Sequence, residues 1–271
     1  MLPFFVLLLS LYISLYMPHE EAVAEYLSLI PKHCDSRFFA DKRVHDFLTS
    51  DLCLGVFVPK KWTGIIDLVV HLKTREGMPS RFKPAARPIN PKLWKPAYNE
   101  IQRMLTYFYL PSDSPICSPL VISPKATVPF IRLCGDYATF INKFMETGHF
   151  PIPNVRQSSE KIAKFKIFLD MDLTNDFHQL RLDEVTSRLL TVQTPWGTFR
   201  HLFLPEGVPQ GSGLLQEAMS DIFNGFEDWT IVIFDNLLAL ADDYNKAYEK
   251  LVKIVSRARD RNMEFKMKSH G

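Results

Sequence analysis

Alternating apolar and polar positions divide the chain from residue 93 onward into short elements. Residues 93–110 (LWKPAYNEIQRMLTYFYL) carry apolar side chains at helical spacing, with Pro96 expected in the first turn. SPLVISP at 118–124 and the alternating PFIRLCGDY at 129–137 read as strands, and KFKIFLDMDL at 164–173 as a third. TSRLLTVQTPWGTFRHLFL at 186–204 predicts a hairpin turning at Pro195–Gly197. GSGLLQEAMSDIFNGF at 211–226 predicts a helix entered through glycines. WTIVIFDNLLAL at 229–240 is two apolar runs meeting at Asp235 and Asn236, a second hairpin. Residues 242–262 form a long amphipathic pattern, and MEFKMK at 263–268 a closing strand. Before all of these, 19–30 (HEEAVAEYLSLI) reads as a short amphipathic helix, while 32–60 are mixed and give no periodic signal. The mixed order of strands and helices predicts an α+β fold, an antiparallel sheet backed by helices.

Composition changes this picture in three places. Residues 1–17 (MLPFFVLLLSLYISLYM) are apolar and uncharged. They lack the basic start and small-residue cleavage site of a signal peptide, and they sit at the short limit for a membrane span. A membrane anchor, a signal, or translated sequence never selected as a start are the readings; membrane association is possible but not favoured. Net charge is only +2, yet residues 60–103 hold ten basic side chains against three acidic ones, a local +7 that leaves −5 for the rest. That window is rich in proline, so much of it reads as extended and not helical. Charge alone reads it as a solvated linker. The four cysteines, Cys34, Cys53, Cys117 and Cys134, are widely spaced, which fits a reduced intracellular protein in cytoplasm or nucleus.

Candidate chemistry centres on two carboxylates. Asp172 ends the apolar run 165–173, and Asp235 sits at the tip of the 230–240 hairpin. Charge at the end of a buried strand is costly unless paired or metal-bound, and two such strands side by side would join the carboxylates into a divalent-metal site suited to phosphoryl transfer. Taken singly, each is as readily a structural turn residue. Asp170, two positions before Asp172, shares its face of a strand.

Six blocks in order resemble the reverse transcriptase domain of gypsy-type long-terminal-repeat retrotransposons. They are 88–125 with S-x-S-P-x-x-S-P; 129–155 with R-x-C-x-D-Y, N-K and P-I-P; 168–182, whose D-L-x-x-x-[YF]-H-Q falls on 172–179; 194–216 with T-P-x-G through P-x-G to the final Gln; the hairpin 231–240; and 251–269. The resemblance covers about 80–271. It implies a right-hand polymerase with fingers and palm at 80–271, preceded by an apolar leader at 1–17 and a linker at 18–79, with the thumb largely absent. It implies an RNA-directed DNA polymerase extending a primer on an RNA or DNA template with deoxynucleoside triphosphates and two Mg2+ ions (Mn2+ also possible). No protein partner is implied.

Residue by residue, the resemblance assigns metal binding to Asp172, to the backbone carbonyl of Leu173 and to Asp235. Phe177 falls where an aromatic stacks under the incoming sugar and excludes a 2′-hydroxyl. Lys125 and Arg132 match the triphosphate grip, and Gln210 and Gly211 a loop against the templating base and nucleotide. Gln216 is expected on the supporting helix. Lys266 or Lys268 matches a late lysine near the leaving pyrophosphate. The basic window becomes an arm approaching template or primer.

The hairpin departs from the family's pair of adjacent aspartates, holding Asp235 and Asn236, with Ile233 in place of the family's tyrosine. One negative charge is lost, which predicts weaker metal binding, with Asp170 as a partial substitute. A missing thumb predicts distributive, salt-sensitive synthesis. The alternative is a catalytically impaired retrotransposon remnant that keeps the fold and binds nucleic acid.

Overall fold

A computed structural model of the 271-residue chain describes residues 5–9, 18–59, 61–125, 131–146, 150–151 and 153–266, with backbone alone for 5–9 and 155. The rest of the leader, Lys60 and Lys268 therefore lie outside the described residues. In chain order the elements are β1 (Phe5–Leu9), α1 (His19–His33), α2 (Ser36–Phe39), α3 (Lys42–Leu48), α4 (Asp51–Phe57), β2 (Val69–Val70), α5 (Pro91–Tyr107), β3 (Tyr109–Pro111), β4 (Ser118–Pro124) and β5 (Ile131–Gly135). There follow α6 (Val155–Ile162), β6 (Ile167–Leu173), β7 (Arg181–Leu182), α7 (Glu184–Leu189), β8 (Val192–Thr194), β9 (Gly197–His201), α8 (Gly211–Ile222), β10 (Thr230–Ile233), β11 (Asn236–Ala241), α9 (Tyr244–Asp260) and β12 (Phe265–Lys266).

The chain forms two compact units. The first comprises 1–67, 150–179 and 215–271; the second comprises 68–149 and 180–214. In the first, a sheet runs β1-β6-β11-β10, with β12 also on β6. β10, β11, β6 and β12 pair antiparallel, while β1 joins β6 in parallel, so leader residues 5–9 form a strand, with Leu9 opposite Met171. Helix α9 packs on β11 and β6 through Ala247, Leu251, Ile254, Val255 and Ala258, all buried. Helix α4 lies against α9 at Gly55, where a Cβ would strike the Arg259 guanidinium; Arg259 instead donates to the Gly55 carbonyl at 3.2 Å. Residues 32–57, silent in the sequence, hold the end of α1 and three short helices capped by the side chains of Asp35, Asp41 and Ser50.

The second unit carries a sheet in the order β3-β9-β8-β4-β5, antiparallel except for the β4–β8 pair. Helix α5 packs on β3 and β5. It starts at Pro91 behind an Asn90 cap, so Pro96 lies inside the helix and not in its first turn. The predicted hairpin over 186–204 is shorter than expected. Its first residues are helix α7, because Asp183 accepts from the Thr186 amide and caps it, and strand begins only at Val192. In the first unit the β10–β11 turn falls one residue early, at Phe234 and Asp235, leaving Asn236 on β11.

Candidate active site

The register of β6 assembles the carboxylate site. Asp172 is the penultimate residue of β6, buried at 4% exposure. Across one edge it is opposite Asn236 of β11, and across the other opposite Lys266 of β12. Residues directly opposite in an antiparallel pair project to the same face, so Asn236, Asp172 and Lys266 form a row. The Lys266 ammonium lies 3.1 Å from Asp172 Oδ2. Asp170 is two positions back, half-buried and opposite Leu238.

Asp235 reaches the row from the β10–β11 turn. Its carbonyl accepts from the Leu173 amide at 2.9 Å, which ties the turn to the end of β6. Burial pushes the Asp235 carboxyl up from the usual range, the neighbouring Asp172 raises it further, and Lys266 pulls it back. Two carboxylates with that mutual influence hold like charge in a small space. Their hard oxygens suit a divalent cation such as Mg2+ or Mn2+, whose charge relieves the repulsion. Among the described residues, no group of three or more His, Cys, Asp or Glu side chains gathers as a metal site.

The turn is strained and externally held. Phe234 has φ +53°, uncommon for a bulky residue. Buried Gln216 on α8 accepts from the Phe234 amide at 2.7 Å and donates to the Val232 carbonyl at 3.0 Å. The sequence placed Gln216 on a supporting helix but held no sign of this double clasp. A second glutamine does similar work after β6. Gln179 Nε2 donates to the carbonyls of Thr174 and Glu264, and its Oε1 accepts from the Glu264 amide. That fixes the turn carrying half-buried Phe177. Glu264 is itself buried, its Oε1 without a hydrogen-bond partner, and burial raises its carboxyl well above the usual range. Nothing in the pattern MEFKMK marked it.

Of the expected nucleotide contacts, Phe177 belongs to the first unit, and Lys125, Arg132, Gln210 and Gly211 to the second. Half-buried Lys125 follows β4, and Arg132 is exposed on β5. Gln210 is buried and donates to the Glu146 carbonyl, and Gly211 opens α8. The loop before it is pinned at Gly207, whose φ of +91° favours glycine and whose carbonyl accepts from Asn142 at 2.9 Å. Arg132 faces Glu206 of that loop at 3.5 Å, a carboxylate that no motif marked. A signal was available: an acid in a stretch assigned to phosphate-bearing ligand.

Residues 129–269, just over half of the chain, match the family described as Reverse transcriptase (RNA-dependent DNA polymerase). The chain belongs to the reverse transcriptase family. Among curated relatives, it is 28% identical over 161 residues to the retrovirus-related Pol polyprotein from transposon 412 of Drosophila melanogaster, covering 57% of this chain and 13% of that protein. It is 23% identical over 146 residues to the transposon Tf2-7 polyprotein of Schizosaccharomyces pombe, covering 54% and 11%. This member of the family thus spans a small fraction of the length of those relatives. Among solved structures, prototype foamy virus protease-reverse transcriptase superposes with TM-score 0.75 at 17% identity, over 93% of this chain and 33% of that one. A foamy viral protease-reverse transcriptase in complex with double-stranded DNA gives 0.70 at 13% identity, over 94% and 44%. At such identities the likeness establishes the fold, fingers and palm of a reverse transcriptase. Among the described residues, no helix is long and apolar enough to cross a membrane.

Proposed function

We propose that the chain is the RNA-directed DNA polymerase domain of a gypsy-type retrotransposon polyprotein, joining deoxynucleotides to a primer 3′-hydroxyl on an RNA or DNA template. The observation that carries this is the meeting of Asp172 and Asp235 at the tied ends of β6 and the β10–β11 turn. Bound Mg2+ or Mn2+, as two ions, supplies charge neutralisation at the triphosphate and activates the primer hydroxyl. Asp172 and Asp235 hold the metal through carboxylate oxygens, with the Leu173 carbonyl as a backbone ligand. Phe177 lies under the sugar and excludes a 2′-hydroxyl. Lys125 and Arg132 take the triphosphate charge, Gln210 and Gly211 meet the templating base and nucleotide, and Lys266 serves the leaving pyrophosphate. Asp170 makes up part of the charge missing at Asn236.

Primer extension on RNA and DNA templates with Mg2+ or Mn2+ tests the reading. Metal-dependent products that vanish with Asp172→Asn and Asp235→Asn support it. Extension indifferent to both substitutions sinks it. Unchanged extension by Asp170→Asn removes Asp170 from the site.

Asn236 favours a second reading, a catalytically impaired remnant. It stands directly across from Asp172, where the family pattern carries another carboxylate. Nucleic-acid binding without extension under any divalent metal selects that reading.

A further inference from the structure

We infer that Lys161 and Lys250 are positioning residues for the Asp172–Asp235 pair: from the end of the sheet opposite the carboxylates, they fix the spacing of the strands that lead to them. The chemical role of the carboxylates rests on the polymerase reading above; the tie between the strands does not.

All the residues concerned belong to the first unit. β11 lies between β6 and β10, so the segments that carry Asp172 and Asp235 are not paired along their length. At the site end they meet where the Leu173 amide donates to the Asp235 carbonyl. At the far end lie the starts of β6 and β10 and the close of β11, with Ile167 opposite Ala241 and Thr230 opposite Ala239.

Both lysines join segments there that strand pairing leaves apart. Lys161, in the last turn of α6, donates to the carbonyl of Thr230 at 2.7 Å and to that of Glu227. The chain entering β6 is thereby linked to the chain entering β10. Lys250 of α9 donates to the Leu240 carbonyl of β11 at 2.7 Å. Its ammonium also lies 5.2 Å from the centre of the Phe165 ring and 5.3 Å from that of Trp229. Phe165 precedes β6 and Trp229 precedes β10, so this one ammonium touches the approach to both strands and the end of the strand between them.

The outer edge of β10 depends on such ties. Among the described residues no strand covers it. A cavity of about 300 Å³ lies there instead, lined by Thr230, Ile231 and Val232 of β10, by Ser158 and Lys161 of α6, and by Phe223. Packing alone does not hold that edge, and side chains meet its polar groups: Lys161 at Thr230, Gln216 at Val232 and Phe234. Burial lowers both ammonium groups from the usual lysine range, against the pull of Asp228 and Glu227 on Lys161 and of Asp242 on Lys250. Placing charge where water is scarce is unfavourable unless the bonds it makes offset the cost.

The test follows hydrogen exchange of single amides by NMR in the full chain, with Mn2+ titration alongside. The Leu173 amide, bonded to Asp235 at 2.9 Å, reports the site end; the Leu204 amide, bonded to Leu180 at 2.8 Å in the second unit, is the control. Lys161→Met and Lys250→Met should each speed exchange at Leu173 by about threefold to tenfold and leave Leu204 unchanged. Lys161→Arg and Lys250→Arg should keep the slow rate, and Mn2+ affinity should weaken only in the Met variants. Faster exchange confined to Thr230 and Phe165 shows a local role and overturns the inference. Equal acceleration at Leu173 and Leu204 shows a general loss of stability and overturns it too. Faster exchange at Leu173 in a chain whose unsubstituted form binds no Mn2+ supports the tie between strands and refutes the metal reading instead.

Discussion

Lys266 holds its ammonium 3.1 Å from the Asp172 carboxylate, from a two-residue strand paired directly against it. If Asp172 holds a divalent cation, as proposed, the cation competes with this ammonium. Lys266→Met should therefore tighten Mn2+ binding to the free chain by about threefold to tenfold, the scale of a partly buried ion pair of roughly 1 kcal/mol. Lys266→Arg should leave it unchanged. Calorimetric titration with Mn2+ in the absence of nucleotide reads the effect, and weaker binding in the Met variant would show that the lysine organises the site instead.

Gln216 governs the geometry of Asp235 without touching it. Its amide satisfies the Phe234 N–H and the Val232 carbonyl on either side of a positive-φ residue. Gln216→Leu leaves both groups unpaired, at a cost of about 1–3 kcal/mol. Divalent-metal affinity should fall with it, because the turn loses its clasp. Gln216→Glu keeps the acceptor for Phe234 and should recover part of the affinity. Thermal melts together with Mn2+ titration separate the two effects: equal metal affinity in Gln216→Leu refutes the positioning role.

Glu206 lies 3.5 Å from Arg132, both substantially exposed. Such a surface pair adds little to stability, so Glu206→Gln should leave the melting temperature within about 2 °C. If Arg132 grips triphosphate, removing its carboxylate neighbour frees the guanidinium and lowers repulsion. The dissociation constant for a deoxynucleoside triphosphate should drop about threefold or more in Glu206→Gln and rise in Arg132→Ala. Unchanged nucleotide affinity in both variants removes Arg132 from the triphosphate site.

Glu264 links stability to pH. Burial raises its carboxyl well above the usual range, so the folded chain keeps the proton where the unfolded chain has released it. The folded state then binds more protons, and stability falls as pH rises above the ordinary glutamate value, by up to about 1.4 kcal/mol per pH unit until the folded group ionises. Below that ordinary value the penalty is absent. Glu264→Gln mimics the protonated form and should raise the melting temperature at pH 8 and not at pH 4. Equal gains at both pH values contradict this.

How much of the site was legible differs from residue to residue. Asp172 and Asp235 stood out because each sits at the end of an apolar run; the strand carrying Asp172 formed, and so did the hairpin, with Asp235 in its turn. Short helices did not stand out. α2, α3 and α4 have four, seven and seven residues, too few for a 3.6-residue period to declare itself, and side-chain caps define them instead. α7 is disguised for the converse reason. β-branched and apolar residues in TSRLL suggest strand, and one capping contact from Asp183 overrides that preference.

By itself the sequence determined the strand and helix types around the site, the carboxylates in it and the family they resemble, because alternation, caps and ordered motifs are local. Tertiary structure alone decided which groups face Asp172. The pairing of β6 with β11 on one edge and β12 on the other sets Asn236 and Lys266 beside it from 64 and 94 positions further along the chain. Register across strands is a non-local choice, fixed by which faces the whole sheet buries. The same holds for Gln216 and Gln179, whose amides find their backbone partners only once helix, hairpin and closing strand have packed.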